Sequence, residues 1–216
     1  MVYYADPCAF DAALQARLLP LLPPEKQAAI AKITHAPTRQ QSIAVWALLV
    51  YALRVQHQPL PRLQFTATGK PFFQNSALHF NLSHTDTLVC AAVSDLPVGI
   101  DAQSVTLPSA GVARRVLCEE EQRLLARSDD PAALFTRFWT QKEAYAKLTG
   151  EGLSCGFSSL NFAPYDALDT FAAFQNVFHV QQFSGAVMTV CSKTIPEAAQ
   201  LVTPQMLEPV LFKNDG

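Results

Sequence analysis

The longest uninterrupted apolar run, residues 43–53, is the feature that most restricts how this chain can fold. Its 11 residues are far fewer than the about 20 that a helix needs to cross a bilayer. Because the run is apolar on every side, it predicts a helix enclosed by other elements. We expect this helix to begin with Thr38 as its N-cap and to reach about residue 56.

The composition is typical of a globular protein in a reducing compartment. Of the 216 residues, 50% are apolar and 16% are charged, whereas soluble domains average about 25% charged residues. The five cysteines are scattered and include no CxxC pair, which argues against a zinc site or a disulfide framework. A net charge of −2, no basic block and no signal-type segment predict a cytoplasmic protein without nucleic-acid or membrane partners.

The order of the predicted elements indicates an α+β fold with two halves. Apolar spacing predicts helices over residues 11–22, 25–34, 38–56, 113–127 (interrupted near residue 118) and 131–148. Alternation predicts strands over residues 2–5, 63–66, 78–82, 88–94, 98–100, 157–162, 171–174, 177–183 and 186–192. We therefore expect an N-terminal α+β half over residues 1–102 and a C-terminal α+β half over residues 103–216.

The first polar cluster, Asn81-Leu82-Ser83-His84, lies where an alternating strand meets a polar turn. Side chains and backbone N–H groups at such a strand end can bind an anion. The same residues can instead cap a hairpin turn and satisfy its backbone. The spacing alone leaves both interpretations open.

The second cluster, Val98-Gly99-Ile100-Asp101, places a carboxylate at the tip of a predicted strand. The glycine permits a close backbone approach, and a carboxylate suits Mg²⁺. The alternative is a cap after a buried strand.

The third cluster lies in the predicted helix 131–148, where Trp139, Glu143 and Lys147 are spaced at i, i+4 and i+8 and share one stripe. A solvent-facing stripe does not need a tryptophan, and a core stripe does not tolerate Glu and Lys. The alternative is an ordinary exposed Glu–Lys pair beside a core tryptophan.

These clusters belong to four sequence blocks: GKP at residues 69–71, FNLSHT at 80–85, VGIDAQ at 98–103 and FWTQKEAYAKLTGEGL at 138–153. In this order and spacing, the chain from about residue 24 to residue 153 resembles the 4′-phosphopantetheinyl transferase superfamily, in its Sfp-like (surfactin-synthetase-activating) type. The resemblance implies a monomer in which two similar α+β halves form a pseudo-dimer.

The resemblance also implies an activity. Enzymes of this type transfer 4′-phosphopantetheine from coenzyme A to a serine of an acyl or peptidyl carrier protein and release adenosine 3′,5′-bisphosphate. They depend on Mg²⁺, with Mn²⁺ as a substitute, and serve carrier proteins of polyketide, nonribosomal peptide and related pathways. The alternative is a catalytically degenerate module that binds coenzyme A or a carrier protein.

By the same resemblance, Asp101 and Glu143 are metal ligands, Glu143 is also placed to act as a base, and Lys147 stabilises phosphate charge. Many members carry a third acidic residue where this chain has Gln103. An amide oxygen can still bind a metal or a metal-bound water, but it adds no charge.

The resemblance assigns further residues to coenzyme A: Lys26, Arg39, Gly69, Lys70, Pro71, Ser83, His84 and Lys142. Lys26 matches a lysine that faces the 3′-phosphate, and His84 is placed near the same group. Arg39 lies near the position of a nucleotide-directed arginine, although Gln41 can occupy that position itself.

A surface for the carrier protein is less well marked. Four arginines of the predicted helix 113–127 can receive an acidic partner: Arg114, Arg115, Arg123 and Arg127. They can equally belong to a solvated helix whose charge is balanced by the three glutamates at 119–121.

Overall fold

The structure is a computed structural model and describes residues 1–67, 69–152 and 156–212. Leu153, the last residue of the fourth sequence block, and the final residues 213–216 lie outside this description. The chain divides into two compact units: Met1–Leu96 with Glu197–Gly216, and Pro97–Pro196. Each unit combines helices with a four-stranded sheet, mixed in the first unit and antiparallel in the second, which confirms the expected α+β class.

In chain order, the strands are β1 Val2–Ala5, β2 Leu63–Phe65, β3 Pro71–Phe73, β4 His79–His84, β5 Val89–Ser94, β6 Val98–Ser104, β7 Thr170–Ala173, β8 Asn176–Phe183, β9 Ala186–Ser192 and β10 Gln200–Leu201. The α-helices are α1 Ala12–Leu18, α2 Pro24–Ile30, α3 Ala36–Val55, α4 Ala110–Val116, α5 Glu119–Leu125, α6 Pro131–Thr149 and α7 Pro204–Leu211. Among the described residues, no helix is long and apolar enough to span a membrane.

The first unit is built around helix α3, as the apolar run predicted. Every residue of the run 43–53 is buried, and α3 packs against a sheet with the strand order β10-β1-β5-β4. Strands β2 and β3 form a separate antiparallel hairpin.

The predicted N-cap of α3 is wrong by three residues. The helix begins at Ala36 with His35 in the N-cap position, and Pro37 lies in its first turn. Proline is favoured there because its fixed φ suits a helix and its missing N–H needs no partner. Thr38 is therefore inside the helix, where its hydroxyl lies 2.9 Å from the His35 ring.

The second unit is built around helix α6, which packs on a sheet with the strand order β6-β9-β8-β7. The boundaries of α6 are confirmed almost to the residue. The Asp130 side chain accepts a hydrogen bond from the Ala133 N–H at 3.0 Å, Pro131 occupies the first turn, and Gly150 ends the helix with φ +82°.

The strand predicted over residues 157–162 is wrong. Residues Phe157–Ser159 form a 3₁₀ turn, and Ala163–Tyr165 form a second one. The aromatic and apolar residues here suggested alternation, but the carbonyl oxygens of Phe157 and Leu160 accept hydrogen bonds from a lysine of α6. The buried ammonium of this lysine therefore binds backbone carbonyl oxygens that, in a strand, would accept hydrogen bonds from a neighbouring strand.

The two units differ in extent from the predicted halves. Strand β6 pairs with β9 from Val98↔Ser192 to Ser104↔Ala186, so residues 98–102 belong with the second unit. At the other end, β10 pairs in parallel with β1, which attaches the segment after Pro196 to the first unit.

The two units share a topology. In the first, strand β1, helix α3 and the hairpin β4–β5 follow in that order, and β5 lies between β1 and β4. In the second, β6, α6 and β8–β9 follow in the same order, and β9 lies between β6 and β8. This repetition supports the expected similarity of the two halves, which no sequence repeat revealed.

Candidate active site

Gly99 allows helix α6 to lie directly on strand β6. A Cβ atom added at residue 99 would be 1.9 Å from the carbonyl oxygen of Ala144 and 2.6 Å from the backbone nitrogen of Leu148. No other residue type fits at these distances. The glycine predicted to permit a close approach thus brings the helix backbone against the strand that carries Asp101.

Asp101 and Lys147 form an ion pair across this contact. The Lys147 Nζ donates to Asp101 Oδ1 at 2.7 Å and to the Ile100 carbonyl oxygen at 3.1 Å. The Asp101 side chain is 8% exposed and the Lys147 side chain 28%. The lysine is therefore held in one orientation while part of its charge remains open to solvent.

Glu143 lies one helical turn before Lys147 and is half-buried. Burial raises the pKa of its carboxyl group, the negative charge of Asp101 raises it further, and the positive charge of Lys147 opposes this rise. Glu143 and Lys147 lie four residues apart on the same face of α6, and Lys147 contacts Asp101 at 2.7 Å, so the three side chains belong to one region. The structure thus brings together Asp101, Glu143 and Lys147 from two separate sequence blocks.

The side chains of this cluster can be compared with the ligands that a divalent cation requires. Within residues 1–67, 69–152 and 156–212, no three His, Cys, Asp or Glu side chains are grouped to hold a metal. Asp101 and Glu143 supply two carboxylates, and Gln103 lies two residues after Asp101 on the same face of β6. Mg²⁺ in nucleotide sites is bound through one or two carboxylates, with waters and substrate phosphates completing its octahedron. The residues present fit that ion.

Trp139, the first member of the predicted stripe, packs in an aromatic group. Its ring lies 6.1 Å from the Phe135 ring and meets the Phe157 ring edge-on at 5.9 Å. Trp139 and Gln103 also line a small cavity of about 180 Å³. The stripe on α6 therefore begins in an aromatic group at Trp139 and continues to the charged side chains of Glu143 and Lys147.

Lys142 does not have the surroundings that its assignment to coenzyme A requires. Its side chain is fully buried, and its Nζ lies 2.8 Å from Glu121 Oε2, 2.7 Å from the Phe157 carbonyl oxygen and 2.5 Å from the Leu160 carbonyl oxygen. An ammonium enclosed in this way joins elements of the fold and is not open to a ligand.

Glu121, the partner of Lys142, was missed by sequence reasoning. The three glutamates at 119–121 suggested a solvated face, but Glu121 is fully buried. Its carboxylate also accepts the backbone N–H of Cys118 and that of Phe162, each at 2.9 Å. The available signal was its position three residues after the N-cap of α5, where a glutamate commonly turns back to the helix start.

Lys26, in the first unit, lies between two aromatic rings. Its Nζ is 4.6 Å from the centre of the Trp46 ring and 4.9 Å from that of Phe65. Burial lowers the pKa of this lysine.

Gly69, Lys70 and Pro71 form the end of the hairpin between β2 and β3. Gly69 has φ +84°, a conformation that favours glycine, and Pro71 begins β3. Burial lowers the pKa of Lys70.

Ser83 and His84 end strand β4, Ser83 buried and His84 exposed. The following turn is closed by Thr85, whose Oγ1 accepts the N–H groups of Thr87 and Leu88 at 3.2 and 3.0 Å. Thr85, the last residue of the FNLSHT block, thus binds two of the N–H groups of this turn.

Arg39 and Gln41 lie in the first two turns of α3. Arg39 is partly exposed. The amide nitrogen of Gln41 donates to Asp86 Oδ1 at 2.9 Å, so this side chain is tied to the β4–β5 turn.

Known proteins are similar to the part of this chain that contains Asp101, Glu143 and Lys147. Residues 97–191 match the family model described as the 4′-phosphopantetheinyl transferase superfamily. The 4′-phosphopantetheinyl transferase psf-1 of Bacillus pumilus is 33% identical over 149 residues, which are 66% of this chain and 64% of that protein. The transferase Sfp of Bacillus subtilis (strain 168) is 27% identical over 151 residues, 67% of each chain.

A crystal structure of Thermotoga maritima holo-acyl-carrier-protein synthase covers 45% of this chain and 62% of its own, with a TM-score of 0.34 and 20% identity. A likeness of this size carries no argument about function. The family match over residues 97–191 includes Asp101, Glu143 and Lys147. Together with the two curated relatives, it confirms the resemblance to 4′-phosphopantetheinyl transferases of the Sfp-like type.

Proposed function

We propose that this protein transfers 4′-phosphopantetheine from coenzyme A to a serine of an acyl or peptidyl carrier protein, with release of adenosine 3′,5′-bisphosphate. The observation that carries the proposal is the cluster of Asp101, Glu143 and Lys147, held together by the close contact of β6 and α6. The cluster lies within the segment that matches the superfamily. The reaction breaks a diphosphate, so the protein has to position the reactants and to neutralise negative charge.

Glu143 is the proposed base for the serine hydroxyl. Burial and the neighbouring Asp101 raise the pKa of its carboxyl group. A carboxylate with a raised pKa is a stronger base than an exposed one, and a catalytic base works best when its pKa approaches the working pH. Glu143 is half-buried and so is not fully enclosed by the protein.

Lys147 is the proposed cation for the phosphate oxygens of the reacting diphosphate. Asp101 and the Ile100 carbonyl oxygen fix its ammonium, so little reorganisation is needed when negative charge develops. Asp101 therefore has two proposed roles, as a partner that orients Lys147 and as a metal ligand.

Asp101, Glu143 and Gln103 are the residues proposed to hold Mg²⁺ or Mn²⁺. The bound ion would neutralise charge on the diphosphate and orient it. Because Gln103 contributes no charge, we expect the carboxylates of Asp101 and Glu143 to provide most of the attraction.

The proposed contacts of the donor nucleotide come from the first unit: Lys26, Arg39, Gly69, Lys70, Pro71, Ser83 and His84. Their support is partial exposure or a position at a turn or strand end. Lys142 is left out because its ammonium is enclosed.

The acceptor and the setting are part of the same proposal. A carrier protein of polyketide or nonribosomal peptide synthesis is the proposed partner, and the protein would act as a cytoplasmic monomer made of two α+β halves. The shared topology of the two units supports the division into similar halves.

Intact-protein mass spectrometry tests the proposal. An apo carrier protein is incubated with this protein, coenzyme A and Mg²⁺, with and without EDTA. A mass gain of about 340 Da, that of one phosphopantetheine group, which EDTA abolishes, is the expected result. If several carrier proteins remain unmodified while coenzyme A binds, the proposal is wrong and the degenerate binding module, to which Gln103 points, takes its place.

A further inference from the structure

Three of the four buried or half-buried lysines in the described part of the chain have contrasting surroundings. Lys142 is neutralised by Glu121, and Lys147 is paired with Asp101. Lys26 makes no ion pair with any residue of the described ranges 1–67, 69–152 and 156–212. Its ammonium lies instead over the faces of Trp46 and Phe65.

An aromatic face holds a cation without cancelling its charge. The attraction comes from the ring quadrupole, which localises the ammonium but adds no negative unit charge. The two rings also remove water, and burial lowers the pKa of Lys26 accordingly. A half-buried cation of this kind gains most from an anionic ligand that can reach it.

The donor in the proposed reaction carries two kinds of anionic group. One is the diphosphate, at which the bond is broken and to which Lys147 is assigned. The other is the phosphate monoester on the ribose, a compact group with up to two negative charges. By the resemblance described above, Lys26 faces this monoester.

We propose that Trp46 and Phe65 are positioning residues that hold Lys26 for the ribose phosphate monoester of the coenzyme A donor. The inference rests on the proposed function for the identity of the donor. It assigns to two aromatic side chains a role in binding a phosphate that they do not themselves contact. Trp46 belongs to the core of the first unit, whereas Phe65 is 44% exposed, so Phe65 is the residue to test.

The chain offers a matched control for Phe65. Phe72 lies on the same β2–β3 hairpin and is 39% exposed. The cross-strand pairs are Phe65↔Pro71 and Gln64↔Phe72, and successive pairs point to opposite faces of a hairpin. Phe72 is therefore similar in type, exposure and element, but it lies on the face away from Phe65.

Calorimetric binding of coenzyme A and of 3′-dephospho-coenzyme A is measured for the wild type, Phe65→Leu, Phe72→Leu and Lys26→Met. We expect Phe65→Leu to bind coenzyme A about five- to tenfold more weakly and dephospho-coenzyme A as the wild type does. Phe72→Leu should match the wild type with both ligands. Lys26→Met should lose most of the preference for coenzyme A.

A double-mutant cycle completes the test. If Phe65 acts through Lys26, Phe65→Leu should have no further effect on coenzyme A affinity when Lys26 is already Met. An equal loss of affinity for both ligands in Phe65→Leu would overturn the inference, because it would indicate direct stacking on the adenine. An unchanged affinity for coenzyme A would overturn it as well, and so would a wild type that does not distinguish the two ligands.

The outcomes separate this inference from the proposed function. A wild type that prefers coenzyme A through Lys26 and Phe65 but modifies no carrier protein would contradict the function and support the inference. Normal transfer, with Phe65→Leu binding both ligands as the wild type does, would contradict the inference alone. Thermal unfolding of each variant verifies that the hairpin remains folded.

Discussion

Residue 99 and Ala144 are so close that only glycine fits between strand β6 and helix α6: a Cβ at residue 99 would lie 1.9 Å from the Ala144 carbonyl oxygen. We predict that Gly99→Ala pushes the helix from the strand and separates Lys147 from Asp101. Overpacking of this kind costs about 1–3 kcal/mol of unfolding free energy, and transfer activity should fall further than stability. Chemical denaturation and a carrier-protein assay measure the two effects.

The control for this prediction is Gly111→Ala. A Cβ there meets only the Ser109 Oγ, at 4.0 Å, and residue 111 lies inside helix α4. Alanine at such a site should stabilise by about 0.4–1 kcal/mol, with full activity. Equal behaviour of the two variants would contradict the proposed role of Gly99.

Glu143→Gln removes a carboxylate and keeps the shape of the side chain. We expect kcat to fall about 10²- to 10⁴-fold, the usual contribution of a general base. Burial raises the pKa of Glu143, so the folded state favours its neutral form, and the neutral amide should leave Tm at pH 7 equal or slightly higher. Turnover at the wild-type rate would exclude Glu143 as base and as metal ligand.

Gln103→Glu restores a third acidic side chain next to Asp101. Without metal, a further negative charge near Asp101 and Glu143 should lower Tm, because like charges repel in a half-buried site. With Mg²⁺, the Tm of Gln103→Glu should be higher than that of the wild type, and the variant should need less Mg²⁺ for half-maximal activity. Thermal unfolding and rate measurements over a Mg²⁺ series test this, and a large loss of activity at all Mg²⁺ concentrations would contradict it.

Lys142→Met leaves the carboxylate of Glu121 buried without its cation. Removal of one partner of a buried pair costs about 3–5 kcal/mol, so this variant should be strongly destabilised. The double variant Lys142→Met with Glu121→Gln carries no buried charge and should recover part of the loss. Urea denaturation of Lys142→Met, Glu121→Gln and the double variant tests this, and a loss in the double variant equal to the sum of the two single losses would show that the residues are not coupled.

Cys191, in the central strand β9, should react only when the protein unfolds. Burial raises the pKa of its thiol from 9.0 to about 12, while Cys8 is exposed. At pH 8 a thiol reagent should therefore label Cys8 rapidly and Cys191 at the rate of unfolding. Peptide mass spectrometry of the labelled protein distinguishes the two sites.

The same shift predicts how the stability contribution of Cys191 depends on pH. The folded state favours the protonated thiol, so this contribution is complete below about pH 9 and decreases as the pH approaches 12. Cys191→Ala should show a smaller loss of stability over this range than the wild type. An equal change of unfolding free energy with pH in the wild type and in Cys191→Ala would contradict the prediction.

Much of the candidate site could be predicted because its information is local. Gly99 and Asp101 are two residues apart on a strand, and Glu143 and Lys147 are one turn apart on a helix with clear caps. Periodicity therefore specifies which side of each element these residues occupy. Their meeting across β6 and α6 followed from the resemblance and not from spacing.

The rest could not be predicted because it depends on burial by distant parts of the chain. Glu121 has the same type and neighbours as Glu119 and Glu120, yet only Glu121 faces Lys142 and the N–H of Phe162. The same network turns the segment that begins at Phe157 into a 3₁₀ turn in place of a strand. A local pattern does not contain this contact between residues far apart in sequence.

The two tasks of Glu121 have an evolutionary consequence. One carboxylate both starts helix α5, through the Cys118 N–H, and neutralises Lys142 of α6. A substitution at either position alone is therefore harmful, and a matching change at the other position recovers part of the loss. Positions 121 and 142 should change in step as related sequences diverge, whereas Glu119 and Glu120 should drift independently.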